Sequence, residues 1–416
     1  MTYRQFDKYI EKYAEPDIIK LGINVVNLMP NDLIFDHVVV IPAYKESTDF
    51  ITRFLSSELA QQQALVIVVI NQPSYDNNLM PQQHLYDYIV DTGATLFEHH
   101  ISENGHSALI KPTQTHCYIW AIDCFSQPLP EDQGVGLARK IGSDLALYLK
   151  SNNKILSDWI HSTDADAHLP NDYFSSVKAL STQPKNKNTV ALSYNFTHVN
   201  KNIEVHAANQ LYETALRYYM AGLTYAKSPY AFFTIGSVIA FKAAEYVKVR
   251  GFPKRSAGED FYLLNKLAKL GAIDFLKDTV VTIDARVSDR VPFGTGPAVK
   301  TILQLSENNQ PYCYYHPQVF NELKTCIFYL ESLWEHRLTI DKWFEHLSIE
   351  SQLALHHIKL VSFVEKQKTN NQVQFNKQLT VWFDAFKTLK FIHSLREQKY
   401  SDIPLSQAIA IASFDI

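Results

Sequence analysis

The chain has 416 residues, 46% of them apolar and 20% charged, and a formal charge of −4. This length exceeds one compact core and implies either two domains or one large domain with an appendage. The balance argues against a sequence-independent nucleic-acid binder, which needs a basic face to displace counterions, and leaves only local basic patches open. No apolar run reaches the ~18 residues of a membrane span. The opening MTYRQFDKYIEKYAEPDIIK lacks the apolar centre of a signal peptide. The four cysteines, Cys117, Cys124, Cys313 and Cys326, form no CxxC pair and read as reduced thiols. A cytoplasmic location is therefore expected, with peripheral membrane contact left open and the oligomeric state undetermined.

Residues 1–36 read as a helical lead-in. Val38 to Ile41 is a short β-branched run stopped by Pro42, the pattern of a buried parallel strand. STDFITRFLSSELAQQ follows with helical spacing, and ALVIVVINQPS is a second buried strand, which completes a βαβ unit. HLYDYIVDTGA is a predicted helix, HCYIWAIDCFS a strand and GVGLARKIGSDLALYLK a helix with a Gly-rich entry. DWIHSTDADAHLP supplies the next strand and loop, and VALSYNFTHV another strand. A long helix is expected from His206 to Leu223, then a short strand and helix in TIGSVIAFKAAEYVKVRGF. GEDFYLLNKLAKLG is a helix stopped at Gly271. IDFLKDTVVTIDARV is a late strand, and from Pro297 the spacing turns helical.

The polar loops PAYKES, NQPSYDNN and DADAH each follow a buried strand. In an open parallel sheet this is where ligands sit. Asp164 and Asp166, one residue apart, repel unless a cation lies between them, and Mg²⁺ or Mn²⁺ shared with a diphosphate is one resolution. A solvated acidic loop capping the next helix is the plain alternative. Glu259 and Asp260 open a helix, where the dipole favours negative charge; they read as a cap or as a held general base. Arg139 and Lys140 read as a solvated helix face or as cationic contacts to a nucleotide phosphate. ARVSDRVPFGTG combines Arg286, Ser288 and Arg290 with a turn holding Thr295, and is able to cradle an anion. The competing role for its arginines is to fasten the helical tail. His168 and His316 read as surface or packing residues or as a further metal ligand, and Tyr230 as core packing or as a sugar-stacking ring.

In this order, VVVIPAYKE, GVGLARKIGSDLA, STDADAHLPNDYF, TIGSVIAFKAAEYVKVRGFPKR and GEDFYLLNKLAKLG resemble the family 2 glycosyltransferases of the GT-A fold, over roughly residues 37–285. The resemblance implies an α/β fold of the GT-A nucleotide-diphospho-sugar transferase type. It would have a Rossmann-like, mostly parallel central sheet flanked by helices, spanning 37–296, with a helical C-terminal extension at 297–416 packed on it. It implies a hexosyltransferase-type enzyme with a UDP- or GDP-sugar donor and a divalent cation, Mn²⁺ or Mg²⁺, at the DxD of Asp164 and Asp166. Pro42, Ala43, Tyr44 and Glu46 fall on the first nucleotide loop, Arg139 on the arginine beside the nucleotide, and Asp164 also on the donor side. Gly236 and Ser237 fall on the acceptor-side loop. Asp260 falls on the base of inverting members, with Glu259 beside it.

Two departures stand out. Asn71 occupies the place of the aspartate that reads the base or ribose, and the stretch from Asp91 to Pro130 is longer than a simple crossover needs. Arg286, Arg290 and Thr295 lie outside the common core and suggest an anionic acceptor. A sugar-nucleotide nucleotidyltransferase ranks second, because PAYKES lacks the Gly-rich basic loop such an enzyme wants. A non-catalytic nucleotide-sugar-binding protein ranks third, because the four acidic residues are intact.

Overall fold

In the computed structural model, residues 3–101, 105–181, 186, 188–286, 294–367 and 371–416 are described. The chain divides into two compact units. One takes Met1–Asn200 and Thr234–Ala285, the other Lys201–Phe233 and Gly294–Ile416. The 1–36 lead-in thus clusters within the α/β unit, while 201–233, expected inside that unit, clusters with the C-terminal helices.

The first unit opens with α1 (Tyr3–Lys12) and α2 (Pro16–Leu28), then alternates β1 (His37–Ala43), α3 (Asp49–Leu55), β2 (Ala64–Pro73) and α4 (Met80–Asp91). Strands β3 (Gly93–His100), β4 (His106–Pro112) and β5 (Tyr118–Leu129) follow, then α5 (Gly134–Ser151), β6 (Trp159–Ser162), β7 (Ala167–His168), α6 (Tyr173–Ser181) and β8 (Thr189–Val199). After α7 (Ile203–Tyr225), which belongs to the second unit, come β9 (Ile239–Lys242), α8 (Ala243–Lys248), α9 (Glu259–Leu267) and β10 (Ala272–Asp284).

The ten strands form one sheet in the order β3-β4-β5-β2-β1-β6-β9-β8-β10-β7. Its centre, β5-β2-β1-β6, is parallel throughout. The flanks are antiparallel except for the β8–β10 pair. As expected of a parallel centre covered on both faces, β1 and β2 carry continuous apolar runs, Val38–Ile41 and Ala64–Ile70, and are buried nearly throughout. The long Asp91–Pro130 stretch is explained by β3 and β4, an antiparallel hairpin that extends the sheet beyond β5. Strand β3 is largely exposed, as suits an edge.

Helix α5 lies directly on the parallel centre. A Cβ on Gly142 would stand 2.4 Å from Val40 Cγ1, so only glycine allows this approach. The helix is buried on nearly every side, and this places its few charged residues inside the protein. Lys140 and Asp144 pair at 2.8 Å; Tyr9 and Tyr246 donate to Asp144 Oδ1, and the Glu15 backbone N–H donates to Oδ2. That knot ties the N-terminal helices to α5. The expected phosphate-facing role for Lys140 gives way to this buried one.

The second unit is helical, apart from a two-residue pair, Cys313–Tyr314 with Ile403–Pro404. Its core gathers Tyr218, Phe320, Leu323, Trp343, Phe375 and Phe391. Tyr230, a candidate sugar platform, is buried here and donates to the Thr380 carbonyl at 2.9 Å. His316 accepts from the Gln318 backbone N–H at 3.1 Å, where Gln318–Leu330 begins as a helix. Both are packing or capping residues. Among the described residues no helix is long and apolar enough to cross a membrane. Cys117, Cys124 and Cys326 are buried free thiols and Cys313 is an exposed one.

Candidate active site

The carboxyl ends of β1 and β6 lie side by side in the parallel centre, and α5 crosses beneath them. Arg139, on α5, is only 2% exposed. Its Nε donates to Glu259 Oε1 at 2.8 Å and its Nη2 to Asp164 Oδ1 at 2.6 Å. Nη1 donates to Ser162 Oγ at 2.8 Å and to the Thr163 carbonyl. The fork geometry of a guanidinium suits this task, since one planar group reaches two distant chain segments, Ser162–Asp164 and Glu259, at once. A Cβ on Gly236 would meet Arg139 Nη2 at 2.3 Å, so any larger residue there would push the guanidinium off its partners. The next residue, Ser237, donates from Oγ to Asp164 Oδ2 at 2.6 Å, and its carbonyl accepts from Thr163 Oγ1 at 2.7 Å.

Four motifs that are far apart in the chain therefore meet: α5, the DxD strand end, the Gly236–Ser237 turn and the start of α9. Gly236 and Ser237, expected on the acceptor side, bear directly on Arg139 and Asp164. Glu259 is 4% exposed and serves as the ion-pair partner of Arg139.

The charges in this cluster do not balance. One guanidinium faces Asp164, Glu259 and Asp260. Burial, then the Glu259 charge beside it, pushes the Asp260 carboxyl from its usual range up to about 7, against the lowering effect of the Phe261 N–H and Arg139. The Phe261 backbone N–H donates to Asp260 Oδ1 at 2.7 Å. A carboxyl titrating near neutrality is suited to taking a proton.

Both oxygens of Asp164 are engaged, by Arg139 and Ser237. Asp166, the other half of the expected metal pair, lies two residues on in the same loop. Among the described residues no group of three or more His, Cys, Asp or Glu gathers for a metal. The donor set fits a hard divalent ion that takes one carboxylate and fills its shell with phosphate and water oxygens, as Mg²⁺ does. It does not fit a closed protein cage. His168, the other candidate ligand here, pairs with Asp284 at 2.9 Å.

On the first loop, Pro42 and Ala43 close β1 and are buried, while Tyr44 and Glu46 are half-buried beyond it. Tyr44 donates to Asp76 Oδ2 at 2.7 Å, and Lys45 pairs with the same oxygen at 2.8 Å. These contacts hold the Asp76 carboxyl down to about 2, and burial with the Asp76 bond pushes the Tyr44 phenol up to about 12. Asn71 is buried within β2, level with Cys124 of β5. Asp76, within NQPSYDNN, thus brings a second carboxylate to this loop beside Glu46, and no spacing in the sequence marks it. Arg286 and Thr295 are described and fall in the second unit. Arg290 and Ser288 lie outside the described residues.

No family model matches the chain, and no curated protein matches it. Among solved structures it is similar to S. aureus TarS 1–349 in complex with UDP-GlcNAc, at 9% identity over 88% of this chain and 93% of that one, with a TM-score of 0.39. It is also similar to the mannosyltransferase PcManGT from Pyrobaculum calidifontis in complex with GDP-Man and Mn²⁺, at 14% identity over 95% of this chain and 86% of that one, with a TM-score of 0.35. At these TM-scores the likenesses carry no weight in assigning a function.

Proposed function

We propose that the chain is a glycosyltransferase, moving a sugar from a UDP- or GDP-sugar to an acceptor hydroxyl with Asp260 as general base. The observation that carries this reading is the meeting of Arg139, Asp164, Glu259 and the near-neutral Asp260 at the carboxyl ends of parallel strands. It joins the motifs on which the family resemblance rests.

Arg139 holds Asp164 and Glu259 in place and leaves Asp260 as the carboxylate with a proton affinity matched to its task. Asp260 takes the acceptor proton as the acceptor oxygen bonds to the anomeric carbon. The bond from that carbon to the diphosphate breaks on the opposite side, so the anomer inverts. Asp166 is the residue to hold a divalent cation, which when bound neutralises charge on the departing diphosphate. The loop of Pro42, Ala43, Tyr44 and Glu46, with Asn71 nearby in β2, would face the nucleoside.

Incubation with a panel of nucleotide sugars and product analysis tests the reading. Asp260→Asn should retain donor binding and lose transfer, with kcat down on the order of 10²-fold or more. Near-normal turnover in that variant would move the base elsewhere, and release of pyrophosphate from a nucleoside triphosphate and a sugar phosphate would favour the nucleotidyltransferase.

A further inference from the structure

Asp166 sits in a turn, and the backbone on both sides of it is held by hydrogen bonds. The Asp164 carbonyl accepts from the Ala167 N–H at 3.1 Å, and the Asp166 carbonyl from the Asp284 N–H at 2.8 Å. The two remaining carbonyls, on either side of Asp166, are both taken by one side chain. Arg53 Nη2 donates to the Ala165 carbonyl at 3.0 Å and to the Ala167 carbonyl at 3.2 Å. Its Nη1 lies 3.9 Å from Asp284 Oδ2, and the other oxygen of Asp284 pairs with His168. Ala167 and His168 form β7, paired antiparallel with Ile283 and Thr282 of β10. Four consecutive carbonyls, 164 to 167, therefore have assigned donors.

We infer that Arg53 is a positioning residue for Asp166: from α3 it grips the backbone on both flanks and fixes where the carboxylate is presented to a metal–diphosphate. The inference rests on the glycosyltransferase reading and adds to it a residue outside the motifs of the resemblance. A guanidinium suits the task for two reasons. It spans two carbonyls with a single planar group, and it places positive charge behind a turn that carries two carboxylates. A ligand fixed in this way gives up little freedom when a cation binds. Loss of such outer-shell support typically weakens metal affinity.

The test is calorimetry of UDP and of GDP against the full chain, in chelator and over a Mn²⁺ titration, for wild type, Arg53→Gln and Arg53→Lys. Arg53→Gln is expected to need about 10-fold more Mn²⁺ to reach half-maximal nucleotide affinity, with affinity in chelator unchanged. Arg53→Lys keeps the charge and enough donors for both carbonyls but loses the planar fork that also approaches Asp284, and should fall between. Equal Mn²⁺ half-saturation in wild type and Arg53→Gln overturns the inference. So does an equal loss of affinity with and without Mn²⁺, which marks plain structural damage. Should Arg53→Gln fail to fold, Arg53→Lys is judged by the same criteria. Wild-type protein that binds neither nucleotide, or binds equally well in chelator, overturns the metal–nucleotide reading itself, and is told apart because no variant is involved.

Discussion

Arg139 and Lys140 are neighbours on one buried helix, yet they sit in clusters of opposite kind. Lys140 meets one carboxylate, Asp144, whose oxygens are also filled by two tyrosine hydroxyls and a backbone N–H. Charge there is balanced and the hydrogen bonding is closed, so the cluster has no reason to recruit anything. Burial pushes the Tyr9 and Tyr246 phenols well above their usual value, which keeps them neutral donors. Arg139 meets Asp164 and Glu259 directly and Asp260 through its field. That cluster carries an excess of negative charge, and the excess appears as a carboxyl that titrates near 7. A balanced buried cluster fastens. An unbalanced one at strand ends is a site, because only a proton or an added cation completes it.

The largest break comes from Arg139→Leu. It leaves Glu259 buried without its cation and removes a donor from Asp164. Unfolding in urea should show a loss of about 3–5 kcal/mol, and any folded fraction should lose nucleotide binding. Lys140→Met is the sharper partner experiment. Asp144 keeps the Tyr9, Tyr246 and Glu15 donors, so the cost should be smaller, about 2–3 kcal/mol. Nucleotide affinity and kcat of the folded protein should stay at wild-type values. If Lys140→Met weakens nucleotide binding as Arg139→Leu does, the two clusters are not separate in function.

Much of this was legible beforehand, and the misses have physical causes. Continuous apolar runs located β1, β2 and β5, and motif order placed Arg139, Asp164 and Asp260 in one site. Helical spacing alone did not tell Arg139 from Lys140, because α5 is buried all round and both read as cations on a helix; only the family motif singled out Arg139. The tie between Arg139 and Glu259 spans 120 positions and depends on a glycine at 236. Arg53 left no signal, since it acts on backbone carbonyls rather than on a partner side chain with a recognisable spacing. The β3–β4 hairpin was missed because its strands mix polar and apolar residues, and β3 is an exposed edge. His316 and Tyr230 cap and pack, the plainer of the two roles their sequence context offers.

The smallest effect is the most direct reading of charge imbalance. The folded state holds the Asp260 carboxyl at about 7, above its ordinary 3.8. Between about pH 4 and 7 the native protein therefore binds the proton that the unfolded chain has released. Stability from this group is full at the acid end of that window and is lost as pH rises through 7. Asp260→Asn removes the group and with it the penalty at high pH. At pH 8 the variant should be more stable than wild type by about 1–2 kcal/mol, less than the full shift implies because the half-buried carboxylate keeps some water. The gap should shrink as pH falls towards 4, where both chains carry a neutral side chain. Melting temperatures of the two proteins from pH 4 to 8 measure it. A gap that stays constant across that range would mean that Asp260 is not strained by its neighbours, and a variant less stable at pH 8 would mean that the cluster is balanced after all. The same titration sets the rate: with Asp260 as base, kcat should climb with pH below about 7 and level off above it. A flat profile alongside the expected stability trend would leave the charge argument standing and remove Asp260 from the chemistry.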